Sequence, residues 1–156
     1  MGLGNPLQKC KYAVAIAPGA IKDNASFTAT EIDTLGYDYC TIVVQLGATD
    51  IAMAALKVRE TDTSGSGQTD IAAATIANAA CLDIAGSATV LPSATDDNKV
   101  IVFNLDMRKY GRYLDVVATA GDGTNGTYLS ATAILSRAEV GPITSANAGA
   151  DTVVVC

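Results

Sequence analysis

The segment DMRKYGRYLD, residues 106–115, gathers Arg108, Lys109 and Arg112 with Tyr110 and Tyr113 in a chain that has 16 acidic against 10 basic residues. Cations interleaved with aromatic rings suit a phosphate-and-base surface, because the cations neutralise the backbone while the rings stack on bases. The same residue types suit a desolvated protein contact, where Arg and Tyr are enriched. A third reading is local. Gly111 lies near the middle of a link between two strands, Tyr110 or Tyr113 covers the end of the core, and the cations face water. Carboxylates offer a different chemistry: Asp96 with Asp97, and Asp106 with Asp115, could supply the two acids that glycoside hydrolysis requires. These acids fall in turns or on polar strand faces, however, where aspartate ordinarily caps or solvates.

The chain has no histidine, which removes the commonest general base and every triad or metal scheme built on imidazole. No nucleophile stands beside a base, so the expectation is a protein that is not an enzyme, with no catalytic residue and no cofactor. GDGTNG, residues 121–126, lacks the alternating acids and distal Glu of a calcium loop and reads as a turn. Cys10, Cys40, Cys81 and Cys156 are widely spaced with no CxxC. The first three are expected to be reduced, apolar core positions and Cys156 to be exposed, with no metal site among them. NAS at Asn24 and NGT at Asn125 match the glycosylation acceptor, which matters only in a secreted protein. There is no phosphate loop and no GxGxxG.

At 156 residues, with 49% apolar and 17% charged residues and a mean hydropathy of +0.29, the chain can bury the core of one domain and is too apolar to be disordered. Ala and Val dominate that core, aromatics are 5% and Trp is absent, which suits sheets stacked closely together. The net charge of -6 and pI near 4.4 disfavour nucleic acid and anionic membrane as partners. No apolar run approaches the roughly 20 residues of a membrane span. Lysines precede an apolar run in CKYAVAIAPGAIKDNASF, as in a signal peptide, but Pro18-Gly19 interrupts it too early. MGLGNP opens like a myristoylation signal but has Pro6 where Ser or Thr is required.

Turn signals recur every ten to fifteen residues or so, and between them the apolar period is two, the pattern of all-β sandwiches and barrels. ALKVRE puts Leu56 and Val58 on one face and Lys57 and Arg59 on the other. NKVIVFNLDM does the same with Ile101, Phe103 and Leu105, RYLDVVATA with Leu114, Val116 and Ala118, and TYLSATAILSRA with Leu129, Ala131, Ala133 and Leu135. YDYCTIVVQLG is expected to be a central strand buried on both sides. GDGTNG is expected to close a hairpin between the two strands that flank it, its glycines and Asn125 supplying positive φ. TDTSGSGQTD reads as a polar loop and PSATDDN as a turn into the Val100 strand. DIAAATIANAACLDIAGSATV is read as one or two loose strands, with a short helix as the alternative. The expected architecture is all-β: an antiparallel β-sandwich, jelly-roll-like, of about eight strands, with irregular N- and C-terminal arms. Residues 1–12 form the N-terminal arm, 13–140 the sandwich and 141–156 a C-terminal arm or strand that could pair with another chain.

DNASFTATEIDTLGYDYCTIVVQLGATDIAMAALKVRETDTSGSG, followed by LPSATDDNKVIVFNLDMRKYGRYLDVVATAGDGTNGTYLSATAILSRAE, resembles a family of small tailed-phage and prophage proteins encoded beside head genes. The resemblance spans residues 13–140 and is carried best by GATDIAMAALKV, LPSATDDNK and RYLDVVATAGDGT. It departs in IAAATIANAACLDIAG and at both ends. The resemblance implies a virion structural protein, a capsid decoration or cement protein on the outer head surface, assembled in the bacterial host cytoplasm. Its implied partner is the major capsid protein, with no nucleic acid and no membrane. Decoration proteins often sit around local threefold positions, so a homotrimer is expected. The interface residues are expected to be Arg108, Lys109, Tyr110 and Arg112 at the corner and Val153, Val154 and Val155 in the tail. The alternative is a fibre or tail-tip module that binds a receptor or carbohydrate through exposed aromatics.

Overall fold

In the computed structural model, residues 9–138 and 144–154 are described. Alternating apolar positions fold into eight strands: β1 (Lys11–Ile16), β2 (Ile32–Asp33), β3 (Tyr37–Thr49), β4 (Ala55–Thr61), β5 (Thr69–Thr75), β6 (Val100–Asp106), β7 (Tyr113–Thr119) and β8 (Thr127–Ala138). They form two four-stranded antiparallel sheets, ordered β1-β8-β3-β6 and β2-β7-β4-β5. The sheets face each other as a β-sandwich, and the described residues contain no α-helix.

The core is what period-two patterning dictates, because each strand turns every second side chain inward. Ile42 and Val44 of β3, Leu56 and Val58 of β4, Leu114, Val116 and Ala118 of β7, and Ala133 and Leu135 of β8 are buried to within 1%. The small Ala positions let the sheets approach closely without large voids. Phe103 and Leu105 of β6 are buried as expected, and Ile101 packs on the core half-buried.

Two expectations fail. GDGTNG does join β7 to β8, but these strands lie in different sheets, so the loop is an arch across the sandwich and not a hairpin. Of the positions expected to take positive φ only Gly126 does, at 74°, while Gly121, Gly123 and Asn125 do not; the close approach of Gly126 to the Lys22 carbonyl leaves no room for a Cβ. The hairpin is formed instead by β4 and β5 around TDTSGSGQTD. β3 is central, between β8 and β6, yet only one of its faces is buried. Thr41 and Val43 are half-covered and Gln45 is exposed, because the sandwich has no third layer on that side.

DIAAATIANAACLDIAG contributes β5 and then turns, with an isolated bridge between Leu82 and Ala88. The neighbouring β4 supplies backbone partners that override the helix propensity of alanine. β1 begins at Lys11, ahead of residue 13. Residues 144–154 contain no strand and lie along β1, where the Tyr12 amide donates to the Ala148 carbonyl at 2.7 Å and Ala148 is 5% exposed.

Candidate functional site

Residues 107–112 carry the chain from the end of β6 across to β7 in the other sheet. The link begins with a single 3-10 turn, Met107–Lys109, capped by the Asp106 side chain, which accepts from the Arg108 amide at 3.2 Å. Met107 is buried, and Tyr110 packs half-buried against the core. Gly111 follows because a Cβ there would stand 2.7 Å from the Thr61 carbonyl carbon. Its amide donates to the Glu60 carboxylate. The expected split is therefore found: Met107 and Tyr110 plug the sandwich end while Arg108, Lys109 and Arg112 point outward.

The outward side chains are held by carboxylates. Arg108 grips Asp106 with Nε at 2.7 Å and a terminal nitrogen at 2.8 Å. It also donates to the Tyr39 hydroxyl at 3.0 Å, with its guanidinium 5.3 Å from that ring's centre. Arg137 approaches the same ring at 5.9 Å and pairs with Asp38 at 3.3 Å. Arg112 is bidentate to Asp33 at 2.8 and 2.7 Å and lies 4.8 Å from the Tyr113 ring. Among the described residues, Lys109 has no hydrogen bond or ion pair. Three arginines thus face three aspartates, which leaves Lys109 as the one cation of this corner without an ion pair among the described residues. The hydrogen bond from Arg108 holds the Asp106 carboxyl down to about 2, and Arg112 lowers Asp33 in the same way. Those pairings fix planar side chains in one geometry, as charge-assisted forks do.

Tyr39, Asp38, Asp33 and Arg137 are the site residues that the sequence did not announce. Tyr39 sits directly across from Asp106 in the β3–β6 register and from Ser136 in β3–β8; β-strand alternation in YDYC was the signal that could have placed it outward. Arg137 has φ 57°, a left-handed conformation uncommon for a residue with a Cβ, which swings it out of the strand toward the ring.

Beside this corner lies the outer face of the β1-β8-β3-β6 sheet. Its cross-strand rows are Tyr12, Ile134, Thr41 and Asn104, then Val14, Thr132, Val43 and Val102. Neither row contains a charge, while Val14 is 54% and Val102 48% exposed. An uncharged, partly apolar sheet face bordered by immobilised Arg and Tyr is suited to binding protein.

Of the tail residues, Val153 is half-buried, its amide donating to the Ser145 hydroxyl at 3.0 Å, and Val154 is 77% exposed. Val155 and Cys156 lie outside the described residues. Cys10, Cys40 and Cys81 are buried, with burial pushing the Cys40 thiol up to about 12.

The acids considered for catalysis have structural partners. Asp96 accepts the Ser93 amide and Lys99 ammonium, Asp97 accepts the Thr49 amide, and Asp115 pairs with Arg59. No helix among the described residues is long and apolar enough to cross a membrane. Comparison with protein-family models, with curated proteins and with solved structures gives no match to this chain.

Proposed function

We propose that this protein is a capsid decoration or cement protein that binds the outer head surface of a tailed phage and stabilises the shell. One observation carries the contact: Arg108, Arg112 and Arg137 are clamped by Asp106, Asp33 and Asp38 next to the half-buried rings of Tyr39 and Tyr113. Such side chains lose little rotamer freedom on docking. Their balanced charge favours a protein partner over phosphate, which would have to compete with three aspartates already in place. The placement on a virion follows from the sequence resemblance, and the major capsid protein is the partner it implies. We read the strand orders β1-β8-β3-β6 and β2-β7-β4-β5 as a jelly roll, in which strands wind alternately between two sheets. A homotrimer on the capsid surface, assembled in the host cytoplasm, completes the reading.

Replacing Arg108, Lys109 and Arg112 together with Ala should leave the melting temperature within a few degrees, because exposed ion pairs contribute little to stability. It should sharply reduce occupancy on particles. Normal occupancy would remove the corner from the interface. Particles without the protein should assemble but burst at lower temperature, since binding to the intact lattice stabilises it by mass action. Bursting at the same temperature would sink the cement role.

One feature favours a fibre or tail-tip module instead. Tyr128 is 48% exposed beside a groove of about 250 Å³ shared with Gln45 and Ser130, and a ring with hydrogen-bonding neighbours suits a sugar. Copy number on purified particles separates the two: hundreds of copies fit decoration, a few fit a fibre.

A further inference from the structure

The four sheet edges are unequal. β1 is covered by Ala148 at Tyr12 and by Thr30, whose amide donates to the Ala15 carbonyl at 2.8 Å. β2 has two residues, and β5 pairs with β4 through a register shift. β6 is different, because it runs seven residues in unbroken register with β3 and has no neighbour on its other side among the described residues. The Leu46 amide donates to the Lys99 carbonyl at 3.0 Å, which marks that pair as hydrogen-bonded. Alternation along an antiparallel ladder then turns the backbone of Ile101, Phe103 and Leu105 toward β3 and that of Val100, Val102 and Asn104 toward the open side. An uncovered regular edge is a template for another strand.

That edge also opens onto a groove of about 580 Å³ between the sheets, lined by Ala74 and Ile76, by Phe103 and Leu105, and by the exposed Leu82 and Ile84 of the loop after β5. An added strand would bury this apolar lining with every second side chain. The chain itself contains a run that fits, TVVV at residues 152–155, which is β-branched throughout. Val153 is tied to Ser145, close to β1 through Ala148, whereas β6 is the opposite edge of the sheet. Three strand spacings separate the two edges, about 14 Å, and the two residues after Val153 span at most about 7 Å. The chain's own TVVV therefore cannot reach its own β6.

We propose that the free edge of β6 receives residues 152–155 of a second copy as an added strand. The pairing is β-augmentation, in which main-chain bonds to Val100, Val102 and Asn104 give affinity and the groove selects β-branched side chains. Donor and acceptor are different surfaces, so each copy can give one strand and receive one. It gives the self-association in the proposed function its contact but does not depend on a shell.

The test uses the full chain and two variants. Val102→Pro removes an outward amide and none of the bonds to β3, and proline is tolerated on an edge strand. The second variant ends at Asp151. The full chain should sediment as an oligomer at micromolar concentration. Each variant alone should be monomeric or weakened more than about tenfold in dissociation constant, with an unchanged far-UV spectrum. Mixed together, they should associate one to one, because one keeps the donor and the other the acceptor. A monomeric full chain, an oligomer that survives both changes, or a mixture that does not associate would each overturn the proposal. If Val102→Pro does not fold, Val102→Lys replaces it, since that side chain is exposed and edge lysines block pairing. Particle occupancy of the corner variant is read separately, so loss of shell binding and loss of strand exchange are distinguishable.

Discussion

Asp50 does at the far end of the sandwich what Asp106 and Asp33 do at the corner: it converts a carboxylate into architecture. It accepts the backbone amides of Thr124 and Asn125 and holds the arch between β7 and β8, bonds that lower its carboxyl below the usual range, Asn125 foremost. Gly123 is required beneath it, since a Cβ there would lie 2.4 Å from Asp50 Oδ1. Asp50→Ala and Gly123→Ala should each lower the melting temperature. The double variant should lose less than the sum, because both remove one contact; simple additivity in a thermal-melt cycle would show that the clamp is not shared. Acid should act through the same groups. Carboxyls depressed in the folded protein, those of Asp50 and Asp33 and that of Asp106, at about 2, contribute stability above their unfolded value of about 3.9 and lose it as pH falls through the folded one. With no histidine and with burial raising Cys10 and Cys40, calorimetry should find a flat melting temperature between about pH 5 and 8 and a decline from about pH 4 toward 2.

At the scale of strands, the two faces of each element carry different energies. Leu114 is fully buried, so Leu114→Ala should cost about 2–5 kcal/mol in denaturant unfolding, whereas Val102→Ala, on the open face, should stay within about 0.5 kcal/mol. The inward sets of β4, β6, β7 and β8 were legible in the sequence because side-chain alternation is a local property. Sheet membership was not, since a glycine-rich run such as GDGTNG suits a tight turn back to its neighbour as well as the arch to the other layer, in which only Gly126 takes positive φ. The outer face of β3 was misjudged for a related reason. Thr41, Val43 and Gln45 alternate with Cys40, Ile42 and Val44, but β-branched residues occupy both sets, so composition hid which side faced water. At the corner, the run at 106–113 was visible as sequence, while the partners Tyr39, Asp38, Asp33 and Arg137 come from three other strands or their ends, and apart from the alternation that turns Tyr39 outward they had no local signature.

For the molecule as a whole, far-UV circular dichroism should be that of a β protein with no helical minimum, and a helix-dominated spectrum would contradict the sandwich. The register has a practical consequence. Lys11 pairs with Leu135 and Tyr37 with Ala138, so the polypeptide enters and leaves the sandwich at the end that carries Tyr39 and Arg108. Ala17, Pro18, Gly19 and Ala20, all exposed, follow the other end of β1. A passenger domain spliced in at Gly19 would then hang clear of the corner, while the same passenger attached ahead of Lys9 would crowd it. If the corner is the docking end, only the first arrangement should coat particles at normal density, which makes the turn after β1, and not the chain ahead of Lys9, the place to carry cargo.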